Sequence, residues 1–272
     1  MSTLDLVREI ERVERDAWAD LYEAAPDHVR RGLRLESRRI GESLLTVCGG
    51  IDNLQFNRLN GLGVFTPARG EEVDEAIAAF DAAGVKDWVI HFADQADGVE
   101  LACAPRELAP HPRAWAKFAR GASPAAEVGT VLKIREVGRD EADRFGETAA
   151  EGFGMSQIVG DWLSALPGRE KWKCFVAFDG EAPVGAGAVF IDGANAWLGI
   201  GATLAAHRGR GAQPAILAAR IDAAREAGCQ ILTTETGIPS AGEAGPSYKN
   251  IHRAGFLIAY TRPNLRRAPT AS

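Results

Sequence analysis

Residues 202–228 read ATLAAHRGRGAQPAILAARIDAAREAG, and this stretch does most to define the fold. Its order predicts the end of a strand, a tight arginine-glycine loop, and a long helix that ends at Gly228. The first N–H groups of a helix have no intrahelical partner, and the helix dipole places partial positive charge at that end. Glycine lets such a loop adopt positive φ and approach a ligand closely. The stretch therefore predicts a site for an anion, most plainly a phosphate or pyrophosphate.

The sequence on either side of the loop predicts a mixed sheet. Residues 173–204 give three strand-like runs separated by two Asp-Gly pairs, which are strong hairpin signals. After the helix, residues 230–236 (QILTTET) predict another strand. Residues 247–262 then predict a short helix, a stop at Gly255 and a last strand. This half of the chain thus combines antiparallel hairpins with one strand-helix-strand crossover.

The loop resembles the acyl-CoA-binding motif of the GNAT superfamily of N-acyltransferases, whose pattern Q/R-x-x-G-x-G/A follows a strand and precedes a helix. Arg208 fills the first position and Gly211 the fourth, whereas Gln213 stands where glycine or alanine is usual. The element order over residues 129–264, about half of the chain, is also similar to that of the GNAT fold. The resemblance implies an α/β (α+β) domain with a mixed, mostly antiparallel sheet flanked by helices.

The resemblance also implies that acetyl-CoA is the co-substrate. In such proteins the strand that carries Thr203 and Leu204 diverges from the strand that carries Glu235, and the pantetheine arm lies in the cleft. Asn250 resembles the asparagine that helps to hold the pantetheine, with a helix cap or a surface residue as the alternative. The pyrophosphate would be held by the loop residues Arg208, Gly209, Arg210, Gly211, Ala212 and Gln213.

Direct acyl transfer to an amine needs a group that removes a proton, because an alkylammonium with a pKa near ~10 has no lone pair. Glu235 is the candidate base, directly or through water; the alternative is a carboxylate that faces solvent or pairs with a surface arginine. The tyrosine that donates a proton to the departing thiolate in this family is replaced here by Ile251. Tyr248, about one turn earlier on the same helix face, is the candidate donor or else a core residue.

The N-terminal half predicts a weaker copy of the same pattern. A strand at 61–64, a helix that ends at Gly84 and a strand at Trp88 parallel the elements around the anion loop. In place of the loop stands TPARGEE, in which Glu71 and Glu72 would repel a phosphate. This half is therefore interpreted as a degenerate GNAT-like domain that does not bind CoA. An unrelated α/β domain with the same element order is the alternative.

The domain prediction follows from this comparison. Residues 1–125 form the degenerate GNAT-like or accessory α/β domain, and residues 126–272 form the catalytic GNAT domain. The segment GASPAAEVG at 121–129 has the composition of a linker between them. Residues 151–172 are the predicted acceptor-side segment, in which Phe153, Met155, Trp162 and Trp172 either line a pocket or lie in the core.

The composition of the chain restricts the classes of partner that the protein is expected to bind. A formal net charge of −6, with 46% hydrophobic and 25% charged residues, argues against general nucleic-acid binding. No run of about twenty apolar residues predicts a membrane span, and the charged start is unlike a signal peptide. The cysteines and histidines have no metal-ligand spacing, so we expect no metal, reduced thiols and a cytoplasmic protein. The cysteines are Cys48, Cys103, Cys174 and Cys229.

These observations predict an N-acetyltransferase that moves an acetyl group from acetyl-CoA to a primary amine of a small molecule by direct transfer. The main alternative is a non-catalytic acyl-CoA sensor or interaction module, which the replacement of tyrosine by Ile251 favours. The sequence leaves open the acceptor amine, a longer acyl donor and the oligomeric state.

Overall fold

The structure is a computed structural model that describes residues 2–238 and 245–269. The chain forms two compact units, and each combines segments that are distant in sequence. The first contains the described residues of Met1–Glu23, Arg30–Lys117 and Ala259–Ser272. The second contains Ala24–Val29 and the described residues of Phe118–Ile258. The predicted boundary after residue 125 therefore lies shortly beyond the change of unit, and it remains a prediction.

The described residues contain the following regular elements. The helices are α1 (Thr3–Glu23), α2 (Asp27–Leu33), α3 (Gly70–Ala83), α4 (Val99–Cys103), α5 (Ala142–Phe153), α6 (Gln157–Leu163), α7 (Ala212–Glu226) and α8 (Pro246–Arg253). The strands are β1 (Leu35–Ile40), β2 (Ser43–Cys48), β3 (Arg58–Asn60), β4 (Val89–His91), β5 (Leu108–Pro110), β6 (Trp115–Arg120), β7 (Lys133–Val137), β8 (Trp172–Asp179), β9 (Ala182–Asp192), β10 (Asn195–Thr203), β11 (Ile231–Gly237), β12 (Leu257–Arg262) and β13 (Asn264–Arg267).

The first unit is a six-stranded sheet in the order β1-β2-β3-β4-β13-β5. Strands β1, β2 and β3 are antiparallel, and β3 is parallel to β4 through the crossover helix α3. The apolar face of α3 packs on the sheet, where Phe80 stacks on Trp88 at 5.0 Å between ring centroids. The helix ends at Gly84 with φ +72°, as the sequence predicted.

A buried group of charges also belongs to the first unit. Glu14 on α1 accepts two hydrogen bonds of 2.8 Å from the Arg262 guanidinium and one from the Lys117 ammonium. Glu11, one turn earlier, accepts a hydrogen bond from the Tyr260 hydroxyl. Burial alone would raise the pKa of Glu14, but Arg262 and Lys117 outweigh it and hold the pKa well below its usual value. These buried charge pairs connect α1 to residues that are distant from it in sequence.

The second sheet has seven strands in the order β12-β6-β11-β10-β9-β8-β7, of which β7 to β11 lie wholly within the second unit. Strands β7 to β10 are antiparallel neighbours, and the hairpins β8-β9 and β9-β10 turn at Gly180 (φ +61°) and Gly193 (φ +60°), at the predicted Asp-Gly pairs. Strand β10 is parallel to β11 through the crossover helix α7. Both α5 and α7 pack on β8, β9 and β10. The predicted fold of this half is therefore confirmed.

The two sheets share one order of elements, and each takes a strand from the other half of the sequence. Strand β13, from the end of the chain, lies between β4 and β5, whereas β6, from the first half, lies between β11 and β12. In the first sheet, β13 is antiparallel to β4 and β5, with Leu265 opposite both Ile90 and Pro110. The predicted internal repeat is confirmed at the level of β3-α3-β4 and β10-α7-β11, but the strand predicted at 61–64 was wrong: those residues form a turn, and the strand is β3 at Arg58–Asn60. Strands β1, β5, β7 and β13 and helices α2, α4, α5 and α6 had no counterpart in the sequence prediction.

Candidate functional site

The strands β10 and β11 separate within the second unit and leave a cleft between them. Their parallel register ends at the pair Trp197↔Thr233, although both strands continue well beyond it. The last link is the Thr234 hydroxyl, which donates to the Leu198 carbonyl at 2.8 Å. Beyond this point β10 presents a backbone edge toward the opening, which is where an added extended ligand can pair. The predicted divergence of these strands is thus present.

The edge of β10 at this opening is irregular. Its register with β9 shifts between Gly199 and Ala202, and Ile200 within this bulge has φ +54°, a left-handed conformation that β-branched residues rarely adopt. The hydroxyl of Thr203 is buried and accepts or donates no hydrogen bond within the described part of the chain. The Leu204 N–H, in contrast, donates to a carbonyl of β9 at 3.0 Å. Strain and an unsatisfied hydroxyl therefore occur together at the opening of the cleft.

The anion loop has the geometry that its glycines predicted. Gly209 has φ +80° and Gly211 has φ +86°, and α7 begins at the next residue, Ala212. Among the described residues, the N–H groups of 209–213 donate to no protein acceptor. Pro214, the third residue of the helix, has no N–H. The loop therefore offers a row of free donors at the positive end of a helix dipole.

A neighbouring segment fixes this loop. The Thr130 hydroxyl donates to the Arg210 carbonyl at 2.8 Å and accepts from the Leu132 N–H at 3.2 Å. A Cβ on Gly211 would lie 3.1 Å from the Thr130 Cβ and 3.3 Å from the Gly129 carbonyl. The fourth position of the motif thus needs glycine for two reasons, its positive φ and the close approach of residues 129–130.

The two arginines of the loop differ in their surroundings. Arg210 donates to the Asp179 carboxylate at 2.5 Å and lies 3.1 Å from His207 Nδ1. This hydrogen bond holds the pKa of Asp179 below its usual value, so the charge of Arg210 is offset by a carboxylate. Arg208 is exposed and has no carboxylate partner among the described residues. Of the two predicted anion-binding charges, Arg208 is therefore the one available to a ligand.

Gln213, the departure from the GNAT motif, connects α7 to α8. Its amide nitrogen donates to the Ser247 hydroxyl at 3.0 Å, and its carbonyl accepts from the Asn250 amide at 2.7 Å. The side chain of Asn250 thus contacts the loop residue directly. The unusual sixth position consequently couples the start of the anion-loop helix to the helix that carries the other candidate residues.

The candidate proton-transfer residues lie on β11 and α8. Glu235 is half-buried on β11, two residues after the last strand pair and next to Thr234. The ring of Tyr248 is half-buried on α8 and lies against Phe118 and His252, with centroids 5.3 and 4.9 Å away. Ile251, at the position usual for tyrosine, is buried. The 239–244 part of the predicted Gly/Pro loop lies outside the described residues.

The predicted acceptor-side segment forms α5, α6 and the start of β8. Trp162 and Trp172 are buried core residues, whereas Phe153 is 46% exposed and Met155 is half-buried. A Cβ on Gly152 would lie 2.8 Å from the Cβ of Ala202, so α5 ends against the bulged part of β10. Of the four predicted pocket residues, the structure leaves Phe153 and Met155 accessible to a ligand.

The corresponding helix start in the first unit has different chemistry. The Glu72 carboxylate, on the third residue of α3, accepts from the Arg69 N–H at 2.9 Å. Arg106 pairs with Asp74 and lies so close to Gly70 that a Cβ there would be 2.6 Å from its guanidinium. A carboxylate therefore occupies this N-terminus, which supports the predicted inability of the first half to bind CoA.

The described residues lack two structural features. They contain no group of three or more His, Cys, Asp or Glu side chains that could hold a metal ion. None of their helices is long and apolar enough to cross a membrane.

Solved structures match the chain over most of its length at low identity. A GCN5-related N-acetyltransferase from Kribbella flavida is 17% identical, with a TM-score of 0.60 over 92% of this chain and 95% of that chain. A tandem GNAT protein from the clavulanic acid biosynthesis pathway is 16% identical, with a TM-score of 0.56 over 97% and 96%. A GCN5-related N-acetyltransferase from Sphaerobacter thermophilus is 17% identical, with a TM-score of 0.57 over 85% and 82%. No protein-family model and no curated protein matches.

The chain therefore has the tandem GNAT fold, as the sequence predicted. Several features of the site had no prediction: the contact of Thr130 with the loop, the bulge at Ile200, and the burial of Arg220 beneath it. The sequence carried one signal for the last of these, because Arg220 falls on the apolar stripe of α7. A charged residue on a buried face indicates a specific partner or role.

Proposed function

We propose that this protein is an N-acetyltransferase that transfers the acetyl group of acetyl-CoA directly to a primary amine of a small molecule. The observation that carries the proposal is the row of free N–H groups over 209–213, which starts the helix beside the open edge of β10. Phosphate oxygens fit these donors, and an extended amide-containing arm fits the strand edge. The Thr203 hydroxyl supplies a further unsatisfied group at that edge.

Proton transfer completes the proposed mechanism. Glu235 removes a proton from the acceptor ammonium, directly or through water, and the neutral nitrogen attacks the thioester carbon. The carbonyl electrons move to oxygen and then return as the carbon–sulfur bond breaks. The nitrogen, which is cationic after its attack, releases its second proton to solvent and becomes the neutral amide nitrogen. Tyr248 is proposed to give the departing thiolate its proton. Its ring is held by Phe118 and His252, which fixes where the hydroxyl can reach.

The acceptor side is proposed to be the end of α5, where Phe153 and Met155 are accessible. An amine with an apolar part would contact these side chains. We also propose a cytoplasmic location, with which the four free, buried cysteines are consistent.

The test is calorimetric titration with acetyl-CoA of the wild type, of Arg208→Glu, and of Arg225→Glu as a control near the far end of α7. We expect micromolar binding that the change at Arg208 weakens at least about tenfold, since it removes a charge-assisted contact and adds repulsion. Amines are then screened for release of free thiol, with Glu235→Gln as the variant that should bind acetyl-CoA but turn over slowly. Binding without thiol release from any amine would favour the acyl-CoA sensor. No binding to the wild type would refute both functions.

A further inference from the structure

Arg220 lies in the interior of the second unit without a counter-ion. Its side chain extends from α7 toward the sheet and is 5% exposed. The guanidinium donates to the carbonyls of Gly199 at 2.9 Å and Ala188 at 3.2 Å, and its Nε donates to the Ile216 carbonyl at 3.3 Å. All these partners are neutral, and no described carboxylate pairs with it.

The sequence makes room for this charge. A Cβ on Gly187 would lie 3.1 Å from the Arg220 guanidinium carbon, and a Cβ on Gly201 would lie 3.4 Å from its Nη2. Burial lowers the pKa of Arg220 to about 10, so the group stays protonated at neutral pH. A buried charge that lacks a counter-ion is destabilising, because burial removes its hydration and no opposite charge replaces it. A buried, unpaired arginine is therefore expected where its positive charge serves a function.

The position of the contact between Arg220 and β10 suggests what that function is. The Gly199 carbonyl belongs to the bulge of β10, immediately before Ile200 in its left-handed conformation. Strained residues persist when their surroundings hold them, and the Arg220 guanidinium anchors the backbone next to Ile200 through its hydrogen bond to the Gly199 carbonyl. The bulge follows directly after the last contact between β10 and β11 at Leu198, so it forms the narrow end of the cleft.

We propose that Arg220 is a positioning residue for the thioester: it fixes the strained bulge and adds positive potential where the carbonyl oxygen of a bound acyl group becomes negative. This inference rests on the proposed function. Fixed positive charge acts strongly on a developing oxyanion in a site that excludes water. It also eases departure of the thiolate, for which the chain lacks the usual tyrosine at Ile251.

The test uses the carbonyl stretch of bound acetyl-CoA, which requires no acceptor. Isotope-edited infrared difference spectra are recorded for the wild type, Arg220→Met, Arg220→Lys and Arg225→Met. Arg225 is on the same helix but pairs with the exposed Asp222, and it serves as the control. We expect a carbonyl stretch below that of free acetyl-CoA in the wild type and in the Arg225 variant. The shift should be lost in Arg220→Met and partly kept in Arg220→Lys.

Turnover and affinity separate a positioning role from a structural one. With an acceptor amine in hand, Arg220→Met should lower kcat by about 10- to 100-fold, while the Kd for acetyl-CoA changes less than about threefold. If that variant does not fold, Arg220→Gln keeps a donor without the charge and should also lose the shift. An unchanged stretch in a folded neutral variant overturns the role of Arg220 and leaves the proposed function intact. Absence of acetyl-CoA binding by the wild type overturns both.

Discussion

Replacing Gly211 by alanine should disturb the anion loop more than the same change at the other end of α7. Gly211 has φ +86°, and a left-handed alanine costs about 1–2 kcal/mol. Its Cβ would also lie 3.1 Å from the Thr130 Cβ, so residues 129–130 must move. Gly228 has the same φ of +86° with open space around it, so alanine there carries the backbone cost alone. We expect Gly211→Ala to destabilise the protein by about 2–3 kcal/mol and Gly228→Ala by about 1 kcal/mol.

The effect on the ligand should differ still more. The close contact with Thr130 would displace the loop and change the direction of the free N–H groups of 209–213. A ligand would then lose at least one charge-assisted hydrogen bond, which costs about 1.5–3 kcal/mol. The Kd for acetyl-CoA should therefore rise about 10- to 100-fold in Gly211→Ala and stay unchanged in Gly228→Ala. Urea unfolding measures the first effect and calorimetric titration the second. Equal affinity in the two variants would show that the loop does not hold the pyrophosphate.

Two other predictions concern particular side chains. Burial, and after it the positive charges of Arg262 and Arg58, holds the pKa of His91 well below its usual value. As the pH falls, His91 is therefore protonated in the unfolded chain before it is protonated in the folded protein. The free energy of unfolding should therefore be unaffected by His91 above pH 6.5 and should fall below it by up to about 1.4 kcal/mol per pH unit. His91→Gln should remove this pH dependence in urea unfolding, whereas His28→Gln, at an exposed histidine, should keep it. Gln213→Ala breaks two hydrogen bonds to α8 and should speed amide exchange across 246–253, whereas exposed Gln230→Ala should not; unchanged exchange would refute the coupling.

Strands β8 to β11 and helix α7 of the second unit were predictable because their signals are local. The Asp-Gly turns, the glycine loop and the glycine after α7 each fix a conformation within a few residues. A strand of four residues such as β13, NLRR, has no alternating apolar pattern and forms only because β4 and β5 lie on either side of it. Strand β1, LESRRI, was missed for a related reason, since its charged residues lie at the edge of a sheet.

The candidate site was predictable in part. The sequence identified the helix start and the two diverging strands, because a motif and its element order are enough for that. Three contacts decide the detail: Thr130 on the loop, Gln213 with α8, and Arg220 under the bulge. Each joins residues far apart in sequence, and no local pattern specifies such a pair. The orientation of Arg210 toward Asp179 was hidden for the same reason.

The two units show how little sequence separates the helix start that is proposed to bind an anion from its counterpart in the first unit. Both begin a crossover helix between parallel strands, β3-α3-β4 and β10-α7-β11. At the third helical position, α3 has Glu72, whose carboxylate turns back to the Arg69 N–H, and α7 has Pro214, which has neither a carboxylate nor an N–H. The start of α3 thus carries its own carboxylate, whereas the N–H groups at the start of α7 have no protein acceptor among the described residues. Because the backbone order is shared, the proposed difference in anion binding depends on first-turn chemistry rather than on the fold.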